Sequence, residues 1–183
     1  MKLVPSSAMK QSSLFSGLLL WFVSLSAFGQ ADVKVWTRML GTGAYDFGYA
    51  AAVDAAGNGI IAGATQGSLS GGNAGRYDLF VAKYNPAGAR VWLRQRGTSE
   101  RDFAYGVATD PSGNIYVTGY TGAGLDGNSN IGLWDIFLTK FDASGNWQWT
   151  KQDGTSQDDE GRAVATDRFG NIYITGYVRG NFH

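Results

Sequence analysis

Short apolar runs, separated by turn residues, return along this chain at a fixed interval. Within 104–152 four follow one another: Ala104–Thr109, Ile115–Tyr120, Asp135–Phe141 and Asn146–Gln152. Ile, Val, Tyr, Phe, Trp and Thr dominate them, residues whose branched or aromatic side chains suit a pleated, half-buried surface, so each run is predicted to be a β-strand. Past the N-terminal segment no window keeps an apolar stripe at helical spacing. The pattern is the same on either side. Trp36, Trp92 and Trp149 stand 56 and then 57 residues apart, and Gly41/Gly97/Gly154, Asp46/Asp102/Asp159, Asp54/Asp110/Asp167 and Gly63/Gly119/Gly176 keep those offsets. The stretch Gly106–Tyr120 matches Ala163–Tyr177 at 11 of 15 positions. Four antiparallel strands per period of this size predict an all-β fold of β-propeller blades.

The turns carry their own mechanism. Asp110-Pro111-Ser112-Gly113 has the Asp, Pro and Gly placement of a type I turn. Asp54–Gly57 and Asp167–Gly170 repeat it, and Asn85–Gly88 and Asp142–Gly145 do the same one hairpin later. The Asp and Asn oxygens accept backbone N–H groups inside such turns, so their recurrence needs no catalytic explanation. Gly106, Gly119 and Gly176 are predicted where sheets approach closely.

The blocks Trp92…Gly97-Thr98…Asp102, Val107-Ala108-Thr109-Asp110…Gly113-Asn114-Ile115-Tyr116-Val117-Thr118-Gly119 and Asp135-Ile136-Phe137…Lys140-Phe141-Asp142…Gly145…Trp149 resemble the bacterial SBBP repeat. More distantly the Val-Ala-Thr-Asp…Gly-Asn-Ile-Tyr block resembles NHL repeats. The SBBP resemblance implies a secreted or surface-exposed bacterial propeller, often one module of a larger protein, and brings no catalytic residues with it.

Phasing on the Val-Ala-Thr-Asp strand places one blade at 48–95 and a second at 104–152, with an incomplete blade at 161–183 and a lone outer strand at 33–39. This is an arc of two full blades plus parts of others, and the reading expects a fragment of a larger protein. Open strand edges invite self-association.

Composition narrows the setting. Lys2 and Lys10 precede an apolar run, Leu14 to Phe28, and Ala27-Phe28-Gly29 puts small residues at a cleavage site. Residues 1–29 therefore read as a secretory signal peptide, with 30–183 the mature propeller and no membrane insertion after cleavage. Lys and Arg total 15 against 15 Asp and Glu, which offers no basic patch for nucleic acid. The chain has no cysteine, so disulfides, thiolate metal sites and thiol catalysis are excluded. Its one histidine is the terminal His183, which argues against a Ser–His–Asp device.

Strand parity puts the tight turns on one rim and the variable loops, Gln66–Tyr77, Thr121–Trp134 and Gly154–Glu160, on the other, where repeat proteins commonly bind. The candidate ligand-binding residues lie there: Asp126 and Asn128 in a polar loop that begins like a calcium loop but lacks its Gly and Glu, the aromatics Tyr77 and Trp134, and Asp158 and Glu160 of the densest acidic cluster. Substituting Asp126 or Trp134 is expected to spare the fold. Trp149 recurs and is predicted to be core, whereas Trp147 does not recur. Carboxylates that return in every blade are poor candidates for a unique active site, so no catalytic residue, metal or cofactor is assigned. The sequence reads as a secreted, non-catalytic binding or scaffold module for a protein or a glycan. The alternative is part of a propeller-type glycosidase, lyase or quinoprotein whose chemistry lies in other blades.

Overall fold

The computed structural model of the chain describes residues 36–181. The expected signal peptide at 1–29, the start of the expected strand at 33–39, and His183 lie outside them. The first antiparallel sheet runs β1 (Asp46–Val53), β2 (Gly59–Thr65), β3 (Asp78–Tyr84), β4 (Arg90–Arg96), in that spatial order. The second repeats it with β5 (Asp102–Thr109), β6 (Ile115–Thr121), β7 (Asp135–Phe141) and β8 (Trp147–Asp153). A third, two-stranded sheet holds β9 (Asp159–Thr166) and β10 (Ile172–Val178). These are propeller blades laid side by side in an arc that does not close.

Burial follows from the stacking. Every residue of β2, β3 and β6 is buried, because each inner strand is covered on both faces, by neighbouring sheets or by the segment at 36–40. One apolar cluster joins the first two blades: Ile60, Leu79, Val81 and Trp92 pack with Val107, Ile115, Val117 and Phe137. A second, built on Ile61, Phe80 and Leu93, is covered by Leu40 and Trp36.

Residues 36–39 form no strand. The lone outer strand expected at 33–39 has no ladder partner here among the described residues, and a strand without one leaves its backbone groups unpaired. Trp36 anchors the segment instead. Its indole N–H donates to the Pro86 carbonyl oxygen at 2.9 Å, and its ring lies against Gly88, where a Cβ would come within 2.6 Å. Trp92 treats the next blade identically, donating to Ala143 at 3.3 Å with its ring 2.6 Å from a Cβ built on Gly145. The recurring Trp is thus a clasp on the following blade's last turn. Trp149, predicted to be core, is only half-buried, because no following turn reaches it among the described residues.

The recurring Gly63, Gly119 and Gly176 serve one sheet rather than the approach of two. Each faces a bulge in its own blade's first strand, where an added Cβ would meet the carbonyl oxygen of Phe47, Phe103 or Glu160 at 1.8, 1.7 and 2.0 Å. Gly106 does mark an approach between blades, against Ala163 and Val164 of β9.

Candidate functional site

The loop rim is held by a device that each blade repeats. Asp46 accepts the Thr42 backbone N–H at 2.6 Å and the Thr65 hydroxyl at 2.5 Å. Asp102 does the same with Thr98 and Thr121, at 2.6 and 2.5 Å. The carboxylate therefore ties the loop entering its blade to the end of the second strand. In the third blade Val178 replaces the threonine, and Asp159 accepts the Arg179 N–H at 3.0 Å instead. Burial pushes the Asp102 carboxyl up to about 6; its bonds from Thr121 and Thr98 oppose this, and the nearby Asp78 carboxylate adds to it. Asp78 Oδ1 is itself buried without a hydrogen-bond partner. A hydrogen on Asp102 lowers the cost of placing these two acids together.

Loops of the two rim classes meet in pairs. Tyr77 bridges to Arg101, and Trp134 bridges to Asp158, in the same parallel fashion. Asp102 N–H donates to the Tyr77 carbonyl and Asp159 N–H to that of Trp134, both at 2.8 Å. The aromatic side chains then stack inward. Tyr77 tilts onto Phe103 at 5.0 Å, and Trp134 stacks on Tyr120 at 4.6 Å and 23°. A groove of about 390 Å³ opens beside them, lined by Arg76, Glu100, Arg101, Gly122, Leu133, Trp134 and Asp158. Its floor offers one indole face and its walls carry both charges. Arg76 and Glu100 pair at 3.5 Å across exposed side chains, an arrangement that water and salt screen.

The six candidate residues divide by surroundings. Trp134 and Asp158 line this groove, and Asp158 also meets Arg179 at 3.1 Å. Tyr77 lies behind it in the aromatic cluster around Phe103. Glu160 is buried at the start of β9 and pairs with Arg162, whose guanidinium also covers the Tyr105 ring at 4.6 Å. Asp126 and Asn128 belong to the build of the loop. Asp126 accepts the Arg96 guanidinium of the preceding blade and the Thr150 hydroxyl, with its side chain 8% exposed. Asn128 Nδ2 donates to the Leu125 carbonyl at 2.8 Å, and the Leu125 side chain is fully buried. The polar loop is thereby pinned rather than open. Trp147 takes up the same arginine, with Arg96 Cζ 4.8 Å from its ring.

Arg76, Glu100 and Arg101 escaped the sequence reading. The signal was present in the disagreement of the copies: the position held by Arg101 is Tyr45 in the preceding repeat and Asp158 in the following one, and Arg76 is matched by Leu133. Among the described residues no group of three His, Cys, Asp or Glu side chains converges as a metal site.

Residues 91–126 and 148–183 match the SBBP β-propeller repeat. An uncharacterized WD repeat-containing protein, L264, of Acanthamoeba polyphaga mimivirus is 29% identical over 120 residues, 56% of this chain and 9% of that protein. The regulatory protein FlaEY of Caulobacter vibrioides is 30% identical over 110 residues, 56% of this chain and 12% of that protein. The chain thus spans about a tenth of the length of these curated relatives.

Proposed function

We propose, from a chain that carries SBBP β-propeller repeats, that it is a non-catalytic binding module which engages a protein partner through its loop rim, and that it is exported. The single observation that carries the reading is the contrast between the rims. One rim consists of near-identical tight turns whose polar groups are taken up within the turn or by side chains of the adjoining strands and blades. Asp110 accepts the Asn114 N–H at 2.9 Å and the Asn114 amide at 2.7 Å, and Gly113 takes a φ of 79°. The other rim holds the groove, where copies of the repeat differ and where Trp134, Arg76, Glu100, Arg101 and Asp158 converge. An aromatic face flanked by both charges suits a peptide segment that brings apolar and charged side chains together. Export rests on the basic start, the apolar run and the Ala27-Phe28-Gly29 site.

Photo-crosslinking tests the rim. Leu133 lines the groove and is 65% exposed; Ser112 is exposed on the opposite rim. A benzoylphenylalanine at Leu133 is expected to capture a protein that the same group at Ser112 does not. Capture from Ser112 alone would overturn the reading, and a glycan array that lights up without any protein capture would replace the partner class. Exported protein is expected to begin at or near Gln30, and Met1 found intact in a membrane fraction would overturn export by this signal.

A further inference from the structure

We propose that Asp78 and Asp102 share one proton and act as an acid-held clasp at the root of the groove: with the proton in place the segments at 74–77 and 97–101 are fastened together, and when it leaves they loosen. Chain order puts the two acids there. Asp78 follows Tyr77 at the start of β3 and Asp102 follows Arg101 at the start of β5, so each stands directly behind one half of the Tyr77–Arg101 bridge. The two residues are 1 and 0% exposed. They converge on Gly97, where a Cβ would come within 2.3 Å of Asp78 Oδ1 and 3.0 Å of Asp102 Oδ2. Two like charges held together away from water repel, and one proton between them removes the repulsion and supplies a hydrogen bond.

The next blade junction is an internal control. Asp135 and Asp159 are the copies, and they stand in the same way around Gly154, 2.6 and 3.1 Å from a Cβ built there. Asp135 uses both of its oxygens: Oδ2 accepts the Ile131 N–H at 2.7 Å and Oδ1 the Gly132 N–H at 3.1 Å. Asp78 Oδ2 is likewise engaged, accepting the Ala74 N–H at 3.0 Å and the Gln95 amide at 2.9 Å. Its Oδ1 is not. The matching glycine N–H, that of Gly75, donates to Asn73 Oδ1 at 2.8 Å. Asp78 Oδ1 is thereby buried without a hydrogen-bond partner, facing the carboxyl across Gly97.

The neighbouring groups are otherwise engaged. Gln95 from β4, Thr98 from the loop and Thr121 from β6 bond the two carboxyls, and none of them titrates. Arg96, beside Gly97, is turned to Asp126, Arg76 and Glu100 pair with one another at the surface, and Arg101 is exposed on the groove. From β1, Asp46 is taken up by Thr42 and Thr65, and Tyr49 meets the Tyr105 ring; from β9, Glu160 pairs with Arg162 over that same ring. Burial, with the Asp78 carboxylate adding to it, holds Asp102 up at about 6 against an ordinary 3.8. The clasp is therefore full below 3.8 and is lost as pH rises through 6. It concerns the wall itself, so it stands or falls independently of what the groove holds.

The test reads amide hydrogen exchange by NMR in the full chain, with protection corrected for the intrinsic pH dependence of exchange. The Arg76 N–H donates to the Glu100 carbonyl at 3.1 Å and the Asp102 N–H to that of Tyr77 at 2.8 Å. Both are expected to lose about tenfold or more in protection from about pH 4.5 to 7, since each pKa unit between closed and open wall is a factor of ten. The copies, Leu133 donating to Gln157 and Asp159 to Trp134, are expected to change much less. Asp78→Asn keeps an acceptor for Ala74 and Gln95 and puts an N–H donor where Oδ1 stands, so its wall is expected to hold equally at both pH values. Protection in the parent chain that does not fall, or that falls equally at the copies, would overturn the proposal. So would a fall in Asp78→Asn as steep as the parent's. The parent comparison decides by itself if that variant does not fold.

Discussion

Lys83 Nζ lies 2.9 Å from Asp54 Oδ2 within its own blade and donates to the Ala143 carbonyl oxygen of the next at 3.1 Å. One buried ammonium thus completes a turn and fastens two sheets together. The carboxylate feels several influences. Burial alone would raise Asp54, but the bonds from the Asn58 amide, Lys83 and the Asn58 backbone outweigh it and hold the group at about 2. Lys83→Met is expected to cost about 1.5–3 kcal/mol, since it removes the charged donor while Ala56 and Asn58 still donate to the carboxylate. Urea unfolding of the variant beside the parent chain measures it.

The two buried acids respond to pH in opposite senses. Asp54 is depressed below its ordinary 3.8, so its contribution is full above that value and is lost as pH falls toward about 2. Asp102 is raised, so the folded chain holds a proton that the unfolded chain has released between about 4 and 6. Its contribution is full below 3.8 and is lost as pH rises through 6. Thermal melts from pH 4 to 7 are expected to show this falling component, and Asp102→Asn is expected to remove it. An unchanged slope in that variant would assign the effect to other groups.

Gly119→Ala places a Cβ 1.7 Å from the Phe103 carbonyl oxygen, a backbone atom that cannot move aside. The bulge in β5 must then shift, at a cost of about 1–3 kcal/mol or more. Gly43→Ala meets nothing within 4 Å and is expected to leave the melting temperature nearly unchanged. The pair of melts separates steric demand from any general effect of removing glycine.

Asp126→Ala is expected to lower stability by about 1–2 kcal/mol, because it strips a charged partner from Arg96 and an acceptor from Thr150. This departs from the sequence expectation that the position is free of the fold. Trp134→Ala, which sits on the groove, is expected to lose about 1 kcal/mol of ring stacking on Tyr120 and to reduce capture at Leu133. Chemical denaturation of both variants, with crosslinking yield measured in parallel, distinguishes the two roles.

Blade identity was legible because it rests on local rules. Asp54, Asp110 and Asp167 recur because a tight turn needs an acceptor at that place, and Gly57, Gly113 and Gly170 follow because φ there is 78°, 79° and 86°. The groove was only half legible. Trp134 and Asp158 were singled out as aromatic and acidic loop residues, but Arg76, Glu100 and Arg101 are ordinary surface side chains in sequence. They became a site when loops that are distant in the chain were laid together in two pairs by the Tyr77–Arg101 and Trp134–Asp158 bridges.

The sequence by itself determined the repeat, the four-strand blade, the turn chemistry and the rim on which loops vary. All of these depend on residue type at short separation or on a period that the eye can count. Only the tertiary structure decided which recurring residues reach into the neighbouring blade. Trp92 clasping Ala143 and Lys83 bridging Asp54 to that same carbonyl span up to 60 residues, and no local pattern encodes the facing partner. It likewise decided that Asp126 is a tether and that Trp149 stands half-covered: burial belongs to whatever surface arrives from elsewhere in space, not to the side chain that waits for it.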